Sequence, residues 1–249
     1  MRRTRYSIKQ RLGVLSATVL MLVGLSAQAE TMHVVTEDSS YSWLQDGKVA
    51  GPASEIVEKT LINAGLKDYH MALYPWARAY DMARLEPNVV IYPMIRNAGR
   101  ETQFHWVGEL EPVIQVFFKL RERKDVAVGT LQDAKKFTIG VVRDDARQQY
   151  LESQHFSRMV VSANNLDNLR KLLSGQVALV PMPEREARDQ CRDLNVSFDL
   201  LENVYTIDDL SQSLYVALSL KTPPDTVQRV TQAFAQLKAD GSVAKALAP

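Results

Sequence analysis

Short apolar runs alternate along this chain with segments of helical period, and the alternation runs through twice. A strand buries alternate residues and a helix buries one stripe, so the two patterns cannot exchange. Strand and helix in strict turn demand a mainly parallel sheet with helices on its faces. Met32 to Thr36 reads as a strand, and Pro52 to Ala64 as a helix with Ile56, Val57, Leu61 and Ile62 on one face and Gly65 as its stop. His70 to Tyr74 reads as a strand, Pro75 to Leu85 as a helix with proline in its first turn, and Val89 to Tyr92 as a strand. A long apolar strand, Val113 to Leu120, leads to a charged connection, Arg121 to Asp125. The rhythm then restarts with strands at Phe137 to Val142, Met159 to Val161 and Val177 to Val180. Between and after them come helices at Asp145 to Ser153, Leu166 to Leu173 and Glu184 to Cys191. A strand at Leu214 to Leu220 and a helix at Pro223 to Ala239 close the chain. Two successive α/β units predict two lobes with a cleft between them. Ligands of open α/β sheets lie at the carboxyl ends of the strands.

The N-terminus carries a different signal. Arg2, Arg3, Arg5, Lys9 and Arg11 precede any acid, an apolar run spans Leu12 to Leu25, and Ala27-Gln28-Ala29 is a small-x-small cleavage pattern. This is the layout of a secretory signal peptide over residues 1–29, cleaved after Ala29. The alternative is an uncleaved anchor, for which the run is short against the roughly 20 residues of a membrane span. Cleavage leaves 220 of 249 residues and removes five positive charges and no negative one, taking the formal charge from +1 to −4. A mildly acidic chain excludes nucleic acid as its main partner. The single cysteine, Cys191, forms no internal disulfide and reads as a small apolar residue.

Motifs of catalysis are missing. The chain holds no GxGxxG, GxxxxGK[ST], GxSxG or HExxH, and its four histidines are scattered. The expectation is a protein that is not an enzyme and uses no cofactor or metal.

Five stretches, in order, resemble family 3 of the extracellular solute-binding proteins, the two-lobed type 2 periplasmic receptors of amino-acid ABC importers. They are Thr36 to Trp43 with Asp46 to Gly51, Tyr74-Pro75-Trp76-Ala77-Arg78-Ala79-Tyr80, Ile95 to Glu101 with Phe104 to Gly108, Thr130 to Val142, and Ala239 to Ser242. The resemblance implies that lobe 1 holds both ends of the mature chain (30–113 and 211–249). Lobe 2 (114–210) is inserted in it through a two-strand hinge that bends on closure. It implies a periplasmic protein that acts as a monomer, takes a small-molecule ligand and docks on an inner-membrane ABC permease.

Arg100 falls on the family's carboxylate-binding arginine, whose planar fork makes two parallel bonds that lysine cannot reproduce. The alternative is a surface arginine paired with Glu101 or Glu109. Tyr41, Trp43 and Trp76 are either cleft aromatics that sandwich a ligand or core residues. Arg78 either reaches the cleft or pairs with Asp81. Tyr92, placed just past a strand, is a weaker candidate. From lobe 2, Asp145 (or Asp144) is a helix N-cap at the site, and Arg143 is placed for an anion. Glu184 either accepts an ammonium group or favours its own helix N-terminus.

Several positions depart from the family. Pro93 and Ile95 stand where amino-acid receptors have small hydroxyl residues, Asp144 and Asp145 where they have glycine-threonine, and Pro183 at the ammonium-binding aspartate. The expected ligand is a small polar solute, amino-acid-like or another carboxylate, and the departures from the ordinary α-amino-acid pattern leave a small peptide or an amine open as well. Two further functions fit the same pattern: a periplasmic dehydratase of cyclohexadienyl acids with Glu184 as its acid, and a sensor that reports to a membrane kinase or cyclase.

Overall fold

The computed structural model describes residues 31–248. The basic front, apolar run and cleavage pattern expected of residues 1–29 lie outside the described residues. Lobe 1 begins with β1 (Met32–Thr36), a hairpin of β2 (Trp43–Gln45) and β3 (Lys48–Ala50), α1 (Pro52–Asn63), β4 (Tyr69–Leu73), α2 (Trp76–Leu85), β5 (Val89–Ile95) and β6 (Phe104–Pro112). Lobe 2 follows with β7 (Val116–Leu120), α3 (Leu131–Ala134), β8 (Ile139–Val142), α4 (Ala146–Ser153), β9 (Met159–Ser162), α5 (Asn165–Leu173), β10 (Val180–Met182), α6 (Glu184–Asp193) and β11 (Leu201–Thr206). The chain returns to lobe 1 for β12 (Ser213–Ser219), α7 (Pro224–Ala239) and α8 (Ser242–Leu247).

The lobe 1 sheet runs β4-β1-β5-β12-β6. Only β12 opposes its neighbours; it pairs antiparallel with both β5 and β6. Lobe 2 repeats the plan. β9 and β8 are parallel, a bridge from Ile139 to Leu179 joins β8 to the segment entering β10, and β7 runs antiparallel between β10 and β11. Each lobe is cored on both faces of its sheet. In lobe 1, one cluster joins α1, α7 and α8 through Ile56, Leu61 and Phe234, and a second seats Trp76, Ala79 and Tyr80 of α2. In lobe 2, the clusters form around Phe117 and Leu151 on one side and Phe118 and Leu169 on the other. Gly108 in β6 makes room for α7: a Cβ there would lie 2.3 Å from the Phe234 ring.

Two straps join the lobes, and they are tied to each other. Val113 N donates to Gln212 O at 2.9 Å, Ile207 N to Gln115 O at 2.8 Å, and Gln115 N to the Ser211 hydroxyl at 3.0 Å.

Two sequence expectations change here, and two strands appear that the sequence reading did not name. The apolar run from Val113 becomes a strand only at Val116, because residues 113–115 form one strap and Ile114 is exposed. The edge strands β6 and β11 had no clear period-two signal. Ile62 faces solvent although Leu61 beside it is fully buried, since one helical step of about 100° carries it off the core stripe.

Candidate functional site

A cleft of about 930 Å³ opens between the lobes. Lobe 1 lines it with the loop after β1, the β2–β3 hairpin and the residues after β4; lobe 2 lines it with the starts of α5 and the far half of α6. The loops after β1 and β4 and the start of α5 are positions where parallel strands end and helices begin, so backbone groups and short polar side chains converge there on open space. The volume lies at the upper end of the roughly 300–1,000 Å³ of small-molecule sites.

At one edge of the cleft the lobes meet through a chain of buried charges. Asp145 caps α4 by accepting from Arg147 N at 2.8 Å, and the same oxygen accepts from Arg147 Nε. Arg147 also reaches Pro181 O at 3.3 Å and Glu186 at 3.5 Å. Burial pushes the Asp145 carboxyl up, but Arg147, with Arg100 behind it, outweighs burial and holds it below its usual range. Burial lowers Arg147 and the two carboxylates more than reverse that. Glu186 is shifted upward, by burial first and despite Arg147. Glu37, at the end of β1 in lobe 1, faces this cluster. Burial, then Asp145, pushes its carboxyl to about 8, with Glu186 and Asp38 adding to Asp145 and Arg147 opposing.

Arg100 sits between the lobes rather than in open cleft. It is 1 % exposed and lies against the Tyr80 and Trp76 rings at 4.8 and 5.4 Å. One terminal nitrogen donates to Ile95 O at 3.4 Å and the other to Asp144 O of lobe 2 at 3.1 Å, while Nε has no partner among the described residues. Burial lowers its pKa, and Asp145 partly offsets this. Neither Glu101 nor Glu109 pairs with it: Glu101 binds Arg96 and Glu109 binds Lys238. A carboxylate would take its fork only by displacing the Asp144 carbonyl.

The remaining expected residues scatter. Trp43 lines the cleft, 38 % exposed. Tyr41 is buried and donates to Glu111, beneath the Arg185 guanidinium of lobe 2 at 5.0 Å. Trp76 is buried, stacks on Tyr80 and donates to Asp144 O at 3.0 Å, so it touches lobe 2 but not the open cleft. Arg78 lies 4.1 Å over the ring of Tyr74, a cleft residue, and Asp81 pairs with Arg84 instead. Tyr92 is fully buried because β5 continues three residues beyond it; its hydroxyl donates to Ser54 at 3.0 Å. Arg143 is exposed outside the cleft lining. Glu184 pairs with Arg188 on the exposed face of α6, and the buried acid of that helix is Glu186, two residues and about 200° further round.

Glu37, Asp38, Gln190 and Asp193 line the cleft and were not singled out from sequence. A usable signal existed for the first two: they directly follow β1, where the strand-end rule points. Gln190 and Asp193 lie at the far end of α6, and no local pattern marks them. Among the described residues, no three of His, Cys, Asp and Glu gather as a metal site, and no helix is long and apolar enough to cross a membrane.

No family model matches the chain, and no curated protein matches it either. Solved structures do. A histidine kinase sensor domain with similarity to periplasmic binding proteins superposes at a TM-score of 0.75 and 17% identity over 87% of this chain and 94% of its own. An ancestral arginine-binding protein with arginine bound gives 0.72 at 16% over 87% and 96%. The arginine-, lysine-, histidine-binding protein ArtJ of Geobacillus stearothermophilus gives 0.73 at 16% over 87% and 93%. At this identity the likeness is one of fold, the two-lobed α/β fold of periplasmic binding proteins.

Proposed function

We propose that this chain is a periplasmic solute-binding protein that captures a small polar solute between its lobes and delivers it to an inner-membrane ABC permease. The observation that carries this reading is the cleft itself. It lies between two separately cored bodies, is lined from both, and is spanned by a pair of straps that can bend without breaking either core. Such a site exchanges solvent for ligand by closure, and closure is the signal a permease reads. The neighbours of this fold include an amino-acid ABC transporter substrate-binding protein and several arginine-binding proteins. On this reading the leader is removed after Ala29, the mature protein works as a monomer, and the bound solute leaves unchanged.

The test is a thermal-shift screen of residues 30–249 against amino acids, amines, short peptides and organic acids. A ligand that binds only the folded state raises the melting temperature with its concentration. Mass spectrometry of the recovered solute should find it intact; a chemically altered product would sink the reading in favour of an enzyme. The same fold serves a kinase sensor domain, so pull-down from membranes with and without ligand separates a permease partner from a sensor.

A further inference from the structure

We propose that the interlobe cleft selects an oligocationic amine and needs no carboxylate on its ligand. The inference rests on the solute-binding reading and names the class of solute.

It starts from which charges in the cleft are already spent. The three arginines that line it are all engaged: Arg170 with Asp167 at 3.2 Å, Arg192 with Asp189 at 2.9 Å, and Arg185 with Glu111 at 3.6 Å and Leu247 O at 3.0 Å. The guanidinium of Arg100 is outside the lining and bonded to two carbonyls. The carboxylates of Glu37, Asp38 and Asp193 line the same space, and none has a salt bridge or side-chain hydrogen bond among the described residues. The uncommitted acids of the cleft therefore come from both lobes: Asp38 from lobe 1 and Asp193 from lobe 2, with Glu37 beside them holding a proton that a cation would displace.

The placement of these acids opposes closure unless a cation intervenes. Asp38 of lobe 1 and Asp193 of lobe 2 feel each other across the cleft, and burial and that repulsion push Asp38 upward. Asp193 is the last residue of α6, the negative pole of the helix dipole, where an acid is unfavourable on its own. A second acidic locus is Glu37 itself, beside Asp145 and Glu186, whose charges Arg147 already takes. Two loci in a cleft of about 930 Å³ suit a ligand with two or more cationic groups rather than a single ammonium.

A second, independent feature asks for the same chemistry. Gln190 lines the cleft and is only 7 % exposed. Its amide nitrogen donates to Glu186 at 3.0 Å, which fixes the amide and leaves Oε1 buried with no donor among the described residues. The Ser40 hydroxyl, also on the lining, is buried and, among the described residues, unpartnered as well. Buried acceptors without donors are costly, and an N–H-rich ligand satisfies them. Tyr74 on the same wall already carries a guanidinium on its ring, and the exposed Trp43 ring offers another such face.

Agmatine and arginine decide the matter, because they differ by one carboxylate. Calorimetry of residues 30–249 should show agmatine binding at least as tightly as arginine, with spermidine also bound. The double variant Asp38→Asn with Asp193→Asn should weaken agmatine at least tenfold while the ligand-free protein melts no lower. Arginine binding more tightly than agmatine, or agmatine affinity unmoved in the double variant, overturns the proposal. Glutamine, glutamate or succinate binding while neither cation does overturns it too and leaves the solute-binding reading standing. Silence across the whole panel overturns both.

Discussion

The Arg100 side chain of lobe 1 donates across the lobe boundary to the Asp144 carbonyl of lobe 2, at 3.1 Å. That oxygen also accepts from the Trp76 indole at 3.0 Å, so one strand-end carbonyl receives two donors from the opposite lobe. Asp144 presents its carbonyl from a left-handed turn, φ 58°, just before the α4 cap.

Removing Arg100 should therefore act on the fold before it acts on any ligand. Arg100→Ala loses packing between two aromatic rings and two carbonyl bonds, and destabilises the protein by about 2–4 kcal/mol. Arg100→Lys should recover little, because an ammonium cannot span both carbonyls. Denaturant unfolding checks this, and a loss below about 1 kcal/mol for the alanine variant contradicts it.

Arg185 is the latch on the other side of the cleft. It reaches from α6 to Glu111, to Leu247 O and over the Tyr41 ring, all in lobe 1. Arg185→Met should free the lobes to separate, raising the radius of gyration of the ligand-free protein in solution scattering. Weakening of ligand affinity should be about tenfold or less, since closure can still proceed through Arg100 and Trp76. Scattering identical to the parent protein would refute the latch.

Glu37 makes the lobe contact sensitive to pH. Its carboxyl is raised to about 8 in the folded protein against an ordinary 4.5. The folded state therefore holds this proton where the unfolded chain has released it. The group penalises the folded state progressively as pH rises from about 4.5 to about 8, and adds nothing further above that. Glu37→Gln removes the penalty and should stabilise the ligand-free protein by about 1–3 kcal/mol at pH 8.5 and by almost nothing at pH 4. Equal effects at both pH values would contradict the assignment. A bound cation should displace the same proton, so agmatine affinity should rise between pH 6 and pH 9.

Gly51 sets the wall that carries Trp43. Its φ is +111°, a conformation L side chains rarely adopt, and a Cβ there would lie 2.5 Å from Tyr41 O and 2.9 Å from the Trp43 ring. Gly51→Ala should cost about 2–4 kcal/mol and disturb Trp43, which the fluorescence of that exposed indole would report. Parent-like stability would show that the loop relaxes freely.

Most helices and central strands could be read in the chain, because a helix stripe and an alternating strand are set by near neighbours. Met32 to Thr36 is a strand with its neighbours in register, Gly65 ends α1 in a left-handed conformation, and Asp145 caps α4 as its side chain allows. The edge strands β6 and β11 were less legible, since a strand with one partner needs no regular burial pattern of its own. The site was the least legible. Tyr92 looked like a strand-end residue and is core; Glu184 looked like a ligand group and binds its own helix, while Glu186 on the opposite face of α6 is buried with Arg147.

The local order of strands and helices, with their stops and caps, was written in the sequence by itself, since each depends on residues a few positions apart; the return of β12 to the lobe 1 sheet, about a hundred positions from its partners, was not. Which charges would be neutralised and which left bare was decided only when the lobes came together. Arg100 and Asp144, Arg185 and Glu111, and Asp38 and Asp193 are separated by 44, 74 and 155 positions. Electrostatic energy depends on distance through space and on how much water is excluded between the groups, and neither quantity exists until the tertiary structure sets it.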